Sequence, residues 1–361
     1  MRFFGALAIC IAGAVPGAAV AQADGDFEAR DLTGIWNTNH RATGGYRSIS
    51  AEEDIPQRTP WGEAQFALTI TGRSSPRYPI GLPPVLGNDP IMDCNPEGFP
   101  GVALGTLRPV EFFYAPGRLI MFFEWQRTFR EIWLDGRDLP ENPEPRWLGH
   151  SVGHWEGDTL VIDSVGFDNR TWLDYYGNVF SEDMRLQERW RRTGADTLTV
   201  SYRLTDPRTY VGPWIGNEKT YTRQADVELY EEICAPMDEQ YFTQAVRDRA
   251  AVAEDSLGSG GDVSEEALVD RFADAIAAIR RIRFQADEDW KMTQSEEQQI
   301  AIQDDAIDRI MEAVRETGIS MQDYRRMARM MTVDPDVRAD VFERLAQREH
   351  ALAQLNVSLR E

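Results

Sequence analysis

Two histidines and an aspartate offer a first candidate for chemistry. His150 and His154 stand four residues apart in the run Trp147-Leu148-Gly149-His150-Ser151-Val152-Gly153-His154-Trp155, and Asp163 follows. On a helix that spacing would bring both imidazoles to one metal ion. Gly149, Val152 and Gly153 disfavour helix, however, and along a strand four residues span ~13 Å, so chelation by this pair alone is not expected. A hairpin gives a different geometry. With Gly157-Asp158 as a two-residue turn, His154 faces Val161, Val152 faces Asp163 and His150 faces Val165. Trp155, Gly153, Leu160 and Ile162 then line one face, while His150, His154 and Asp163 share the other. Asp163 sits diagonal to both histidines, ~7–8 Å between backbones and within side-chain reach. A carboxylate that orients an imidazole and raises its basicity makes a general base. The three are therefore candidate catalytic residues for a hydrolase, lyase or isomerase. The plainer reading is a solvent-facing strand whose polar residues merely pair.

Aromatic residues supply the second candidate. Trp147, Trp155, Trp172, Trp190 and Trp214, with Tyr175 and Tyr176, either fill a β-domain core or line a pocket for a sugar, sterol or aromatic compound. Trp172-Leu173-Asp174-Tyr175-Tyr176-Gly177 reads as a loop, where large aromatics have less reason to be core. Trp147, Trp172, Asp174, Tyr175 and Tyr176 are thus the candidate ligand contacts. The sequence contains no glycine-rich phosphate loop, Gly-x-Ser-x-Gly elbow or paired-cysteine redox motif. Asp304, Asp305 and Asp308 lack the glycine and spacing of a calcium loop, and neither mature cysteine has a zinc-type partner nearby. No metal or cofactor is expected.

The chain that must position these groups has 361 residues, 38 Lys+Arg and 60 Asp+Glu, for a net charge of −22. So acidic a surface repels phosphate backbones, which argues against nucleic acid as a partner. Lys219 and Lys291 are its only lysines; every other basic residue is arginine, a bias read here as genome composition. Met1-Arg2, the apolar run Phe3 to Val20 and the small-x-small sites Ala19-Val20-Ala21 and Ala21-Gln22-Ala23 read as a signal peptide over residues 1–23. Gly13, Pro16 and Gly17 interrupt that run, so a membrane span is not expected, and the mature protein should be periplasmic or secreted. Cys10 leaves with the signal. In an oxidising compartment the remaining Cys94 and Cys234 are expected to form a disulfide.

Two compositions share the chain. Nine of the ten tryptophans lie between Trp36 and Trp214, whereas residues 262–361 hold one glycine, Gly318, and one proline, Pro335. Residues 24–253 read as an antiparallel β-domain, 254–263 as a Gly/Ser linker and 264–361 as a helical domain. Nine β-type runs are legible: Leu32 to Thr38, Val110 to Tyr114, Arg118 to Trp125, Arg130 to Leu134, Leu148 to Trp155, Thr159 to Val165, Leu186 to Arg192, Thr197 to Leu204 and Glu218 to Thr222. Such a succession predicts a meander closed as a barrel or folded as a sandwich. The proline-rich stretch Ile55 to Gly105 is expected to cover a face or mouth of it. Beyond the linker, Leu268, Phe272, Ile276, Ile279 and Ile282 form one helical stripe, and Ile300, Ile307, Ile310, Met311 and Val314 a second. Ser264, Ser320 and Asp334-Pro335 mark helix starts and Gly318 a stop, giving a small bundle of three or four helices. The fold class is thus α+β multidomain.

Leu268-Val269-Asp270-Arg271-Phe272-Ala273, a Gln-rich middle and Glu316-Thr317-Gly318-Ile319-Ser320-Met321-Gln322-Asp323-Tyr324 resemble the bacterial domain of unknown function 4168, across about Val263 to Gln347. That resemblance implies export and helicity, with no activity. Residues from about Asp31 to Cys234 resemble an uncharacterised family of exported bacterial proteins. The motifs that carry it are Asp31-Leu32-Thr33-Gly34-Ile35-Trp36, Thr59-Pro60-Trp61-Gly62, Asp93-Cys94-Asn95-Pro96 and the run from Trp147 to Asp163. Gly34-Ile35-Trp36 is also similar to the opening of lipocalin-like barrels, which implies a barrel. The leading expectation is an exported protein whose β-domain binds a small, partly apolar molecule. Acid/base catalysis at the histidines is the second expectation. The third is a structural envelope protein whose helical domain docks a partner.

Overall fold

The computed structural model describes residues 27–38, 47–72, 74, 79–104, 108–234 and 264–358. The signal run and the linker fall outside them. The strands are β1 (Gly34–Thr38), β2 (Val110–Ala115), β3 (Arg118–Phe123), β4 (Phe129–Trp133), β5 (His150–Glu156), β6 (Thr159–Val165), β7 (Arg185–Gly194), β8 (Thr197–Thr205), β9 (Trp214–Ile215) and β10 (Lys219–Arg223). All nine runs read from alternation are strands, and only the two-residue β9 was not foreseen. Neighbours pair in chain order from β1 to β8, and β10 pairs with both β8 and β1, so nine strands close into a barrel. Closure leaves no open edge on that ring.

One junction departs from the expected antiparallel meander. β4 and β5 run parallel and meet through only two pairs, Ile132↔Ser151 and Trp133↔Val152. Parallel neighbours need a long return path, here residues 134–149. Alternation turns Trp36, Phe112, Trp190, Tyr202 and Tyr221 inward, all within 2 % exposure. The Trp190 ring centroid lies 5.3 Å from those of both Phe112 and Tyr221. The middle of the barrel is therefore a packed core and not a lipocalin-like chamber.

The helical part comprises α3 (Glu265–Met292), α4 (Glu296–Glu316), α5 (Met321–Val333) and α6 (Pro335–Ser358), after two short helices of the barrel part, α1 (Pro60–Phe66) and α2 (Gly101–Leu104). Ser264, Ser295 and Ser320 each accept a backbone N–H from the first turn of α3, α4 and α5. Asp334 does the same for Asp336 and Val337 at the start of α6. These caps satisfy donors the helices cannot bond themselves. The α3 stripe is buried as expected, but on α4 Ile300 is 56 % exposed and Ala306 takes an inner position instead.

The expectation for residues 55–105 holds only at their ends. Phe99, Val102 and Leu104 pack into the barrel core. Leu68, Ile80, Leu82 and Leu86 are instead buried in the core of the helical part. Tyr324 of α5 donates to the Leu86 carbonyl at 3.1 Å and holds this segment there. Just beyond it, Cys94 is bonded to Cys234, with Cα atoms 5.5 Å apart, closing a separation of 140 residues.

Candidate functional site

The weak β4–β5 junction opens the barrel wall. A cleft of about 730 Å3 lies there, walled by Phe129, Trp133, Leu139, Trp147, Leu148 and His150, with Arg127, Arg137 and Arg146 around it and Arg130 and Ser151 at its floor. Backbone constraints shape its rim. Gly149 has φ +67, and a Cβ there would stand 2.6 Å from the Phe167 ring, so only glycine fits. Phe99 N–H donates to the Trp147 carbonyl at 2.9 Å and ties the α2 segment beside the cleft. The Arg170 guanidinium stacks 4.7 Å from the centroid of Trp147. Asp168 holds that guanidinium, and the bond keeps the Asp168 carboxyl below its ordinary range.

The floor is a buried ion pair. Arg130 Nη2 and Nη1 donate to the two Glu188 carboxylate oxygens at 2.6 and 3.0 Å. Nη2 also reaches Ser164 Oγ at 2.8 Å, and Nε reaches Ser151 Oγ at 3.1 Å. Trp190 Nε1 donates to Glu188 at 2.9 Å, and the Phe99 ring lies 3.7 Å from the guanidinium carbon. Both side chains are within 1 % exposure. Arg130 is saturated with partners inside the protein and is not offered to a ligand. The sequence reading did not single this pair out. The available signal was phase, since Arg130 and Glu188 occupy inward positions that Ile132, Leu186 and Trp190 mark as core.

Arg146 differs. It is exposed at the rim, and among the described residues its guanidinium has no hydrogen bond or ion pair. His150 Nε2 lies 2.9 Å from the Glu144 carbonyl, which can only accept, so Nε2 is the donor in that bond.

The hairpin register expected for β5 and β6 is observed at every pair, and His150, His154 and Asp163 share the outer face. Their hydrogen bonds go elsewhere. His154 Nε2 lies 3.3 Å from Glu156, and Asp163 accepts from Gln187 at 2.9 Å. His154 and Asp163 line a second, outer cleft of about 530 Å3 with Arg185, Gln187 and Arg203, whereas His150 lines the larger one. The histidines therefore open into different clefts.

The loop candidates also separate from Trp147. Trp172 is 9 % exposed and Asp174 is 4 % exposed. The Asp174 carboxylate accepts from Ser48 Oγ, from Asn178 Nδ2 at 2.7 Å and from the Tyr176 and Asn178 N–H groups. Burial pushes its pKa up even against those bonds. Tyr175 and Tyr176 meet edge to face at 5.7 Å, with Arg47 stacked 4.4 Å from the Tyr175 centroid. This loop is a plug tied to residues 47–48, not an open contact surface. Near it Lys219 is 1 % exposed, its Nζ has no hydrogen bond among the described residues, and burial lowers its pKa to about 8.

Among the described residues no group of three or more His, Cys, Asp or Glu could hold a metal, and no helix is long and apolar enough to cross a membrane. A closed barrel followed by a helical unit defines the architecture. Within it, residues 265–341 match the model of the family described as Domain of unknown function (DUF4168). No curated protein and no solved structure matches the chain.

Proposed function

We propose that the protein is exported and that its barrel binds a small, partly apolar molecule bearing an anionic group in the cleft beside Trp147. The carrying observation is the cleft, whose roughly 730 Å3 falls within the ~300–1,000 Å3 of small-molecule sites. Trp133, Trp147, Leu139 and Leu148 supply apolar wall, and Arg146 supplies a cation with no partner among the described residues. Glu97, Glu131 and Asp138 also line the cleft and Arg130 is paired with Glu188, so the preference for an anion rests on Arg146 and not on the summed charge of the lining. Export is supported by the apolar run before residue 23 and by the Cys94–Cys234 bond, which persists in oxidising compartments. The test uses 8-anilinonaphthalene-1-sulfonate, an aromatic sulfonate whose fluorescence reports binding. Trp147→Ala and Arg146→Ala are each expected to weaken it by about tenfold, ~1.4 kcal/mol, with His154→Ala unchanged. Equal binding by wild type and both cleft variants would overturn the reading.

A further inference from the structure

The segment Pro79-Ile80-Gly81-Leu82-Pro83-Pro84-Val85-Leu86, continuing to Asp93, lies against the helical part in an unusual way. Ile80, Leu82 and Leu86 are at most 5 % exposed and sit among side chains of the helices. Its main chain is gripped as well. Ile80 N–H donates to Asp287 Oδ1 of α3 at 2.9 Å, and the Leu86 carbonyl accepts from Tyr324 Oη of α5 at 3.1 Å. Asp287 is 3 % exposed and Tyr324 is fully buried. Each finds its hydrogen-bond partner, among the described residues, on the backbone of this segment and not on its own helices. At the far end Asp93 receives Arg325 at 3.1 Å and Arg329 at 3.3 Å, both from α5. Side chains that hold a visiting backbone, with buried places for Ile80, Leu82 and Leu86 and a charge clamp at one end, are the elements of peptide recognition. The adjacent prolines suit that role, because their fixed φ limits the freedom the segment loses on docking, and Pro84 and Pro90 open its two 3-10 turns.

One further observation separates the segment from the helices: the family match spans residues 265–341 and does not include it. A cleft of about 370 Å3 lies beside Leu82, between Ile276, Phe284 and Phe342 of the helices and Phe66, Thr69 and Ile70 of the chain before the segment.

We propose that the helical unit is a peptide-binding module, and that this chain fills the site in cis with residues 79–93. The ligand class is a proline-containing segment with aliphatic anchors, folded into two short 3-10 turns at Pro84–Leu86 and Pro90–Asp93, with an acidic residue at its C-terminal end. The Cys94–Cys234 bond fixes the chain directly after Asp93, which keeps the segment at high effective concentration over its groove. Ile70 and Gly72 brace it from the chain before it, through Leu82 N–H to the Gly72 carbonyl at 2.8 Å and Ile70 N–H to Asn88 Oδ1 at 2.7 Å.

The full chain carrying Leu82→Asp and Leu86→Asp, which expels the segment, tests the proposal against a fluorescein-labelled synthetic peptide of residues 79–93. The expelled variant should bind that peptide about a hundredfold more tightly than the wild-type chain, whose groove is occupied. Adding Asp287→Asn and Tyr324→Phe should weaken the gained binding, and a scrambled peptide should not bind. If expulsion lowers the helical circular-dichroism signal, the peptide should restore it in trans. A folded variant that ignores the peptide, an unfolded one that the peptide does not rescue, or a wild-type chain that binds as tightly as the variant would each overturn the proposal.

Discussion

The barrel and the helical bundle both bury polar groups, and they satisfy them in opposite ways. Inside the barrel, Arg130 is met by Glu188, Ser151 and Ser164 on other barrel strands. In the bundle, Asp287 and Tyr324 are met by the backbone of a segment from the N-terminal part of the chain. A buried charge answered by its own domain makes a rigid wall, because removing any partner leaves an uncompensated group. A buried group answered by a foreign backbone makes a site, because the partner can in principle be exchanged. The difference assigns architecture to the barrel floor and recognition to the bundle groove. Lys219 fits neither pattern.

The largest expected effect sharpens the barrel side. Arg130→Met should destabilise the protein by ~3–5 kcal/mol in urea unfolding, since Glu188 stays buried without its counter-charge. The double variant Arg130→Met, Glu188→Leu should recover most of that loss; if it is as unstable as the single variant, the pair is not acting as a unit. Next comes Lys219, whose pKa falls from an ordinary 10.5 to about 8. Between those values the unfolded chain holds a proton that the folded chain has released, so stability rises with pH across that window and the full cost persists below pH 8. Lys219→Met should therefore stabilise the protein by about 3 kcal/mol at pH 7, with the advantage fading as pH approaches 10.5. A pH-independent difference between the two proteins would show that Lys219 has a partner. The smallest effect is on the outer face. His154, with a side chain 58 % exposed, should change stability by no more than ~0.5 kcal/mol when replaced by Ala.

How much of this was legible depends on the range of the signal. Strand runs and the β5–β6 register followed from period-two alternation and a Gly157-Asp158 turn. Helix starts followed from Ser264, Ser320 and Asp334, whose side chains bond within their own first turns. The candidate catalytic trio was placed on one face correctly, yet each residue took a different hydrogen-bond partner. Gln187, which holds Asp163, comes from the neighbouring strand β7 and could not be read from the hairpin alone. Trp172 and Asp174 looked available because they lie in a loop. Ser48 and Asn178 bury the Asp174 carboxylate there, and Ser48 is distant in sequence. Composition alone makes Lys219 part of a bias toward arginine, and only burial shows that one of the two lysines stands inside the barrel.

Local chemistry was therefore enough for the elements, their order, the split into a β-rich part and a helical part, and the pairing of Cys94 with Cys234. Those features rest on contacts a few residues apart, or on a choice with one available partner. Only the closed structure decided that β4 and β5 would meet in parallel and leave a cleft, and that Arg130 would find Glu188 across the barrel. It also decided that Leu68, Ile80, Leu82 and Leu86 would leave the barrel for the helices. Their apolar anchors are satisfied equally by any complementary groove, and hydrophobic attraction carries no address. Groove shape, two backbone hydrogen bonds and the arginines around Asp93 supply it.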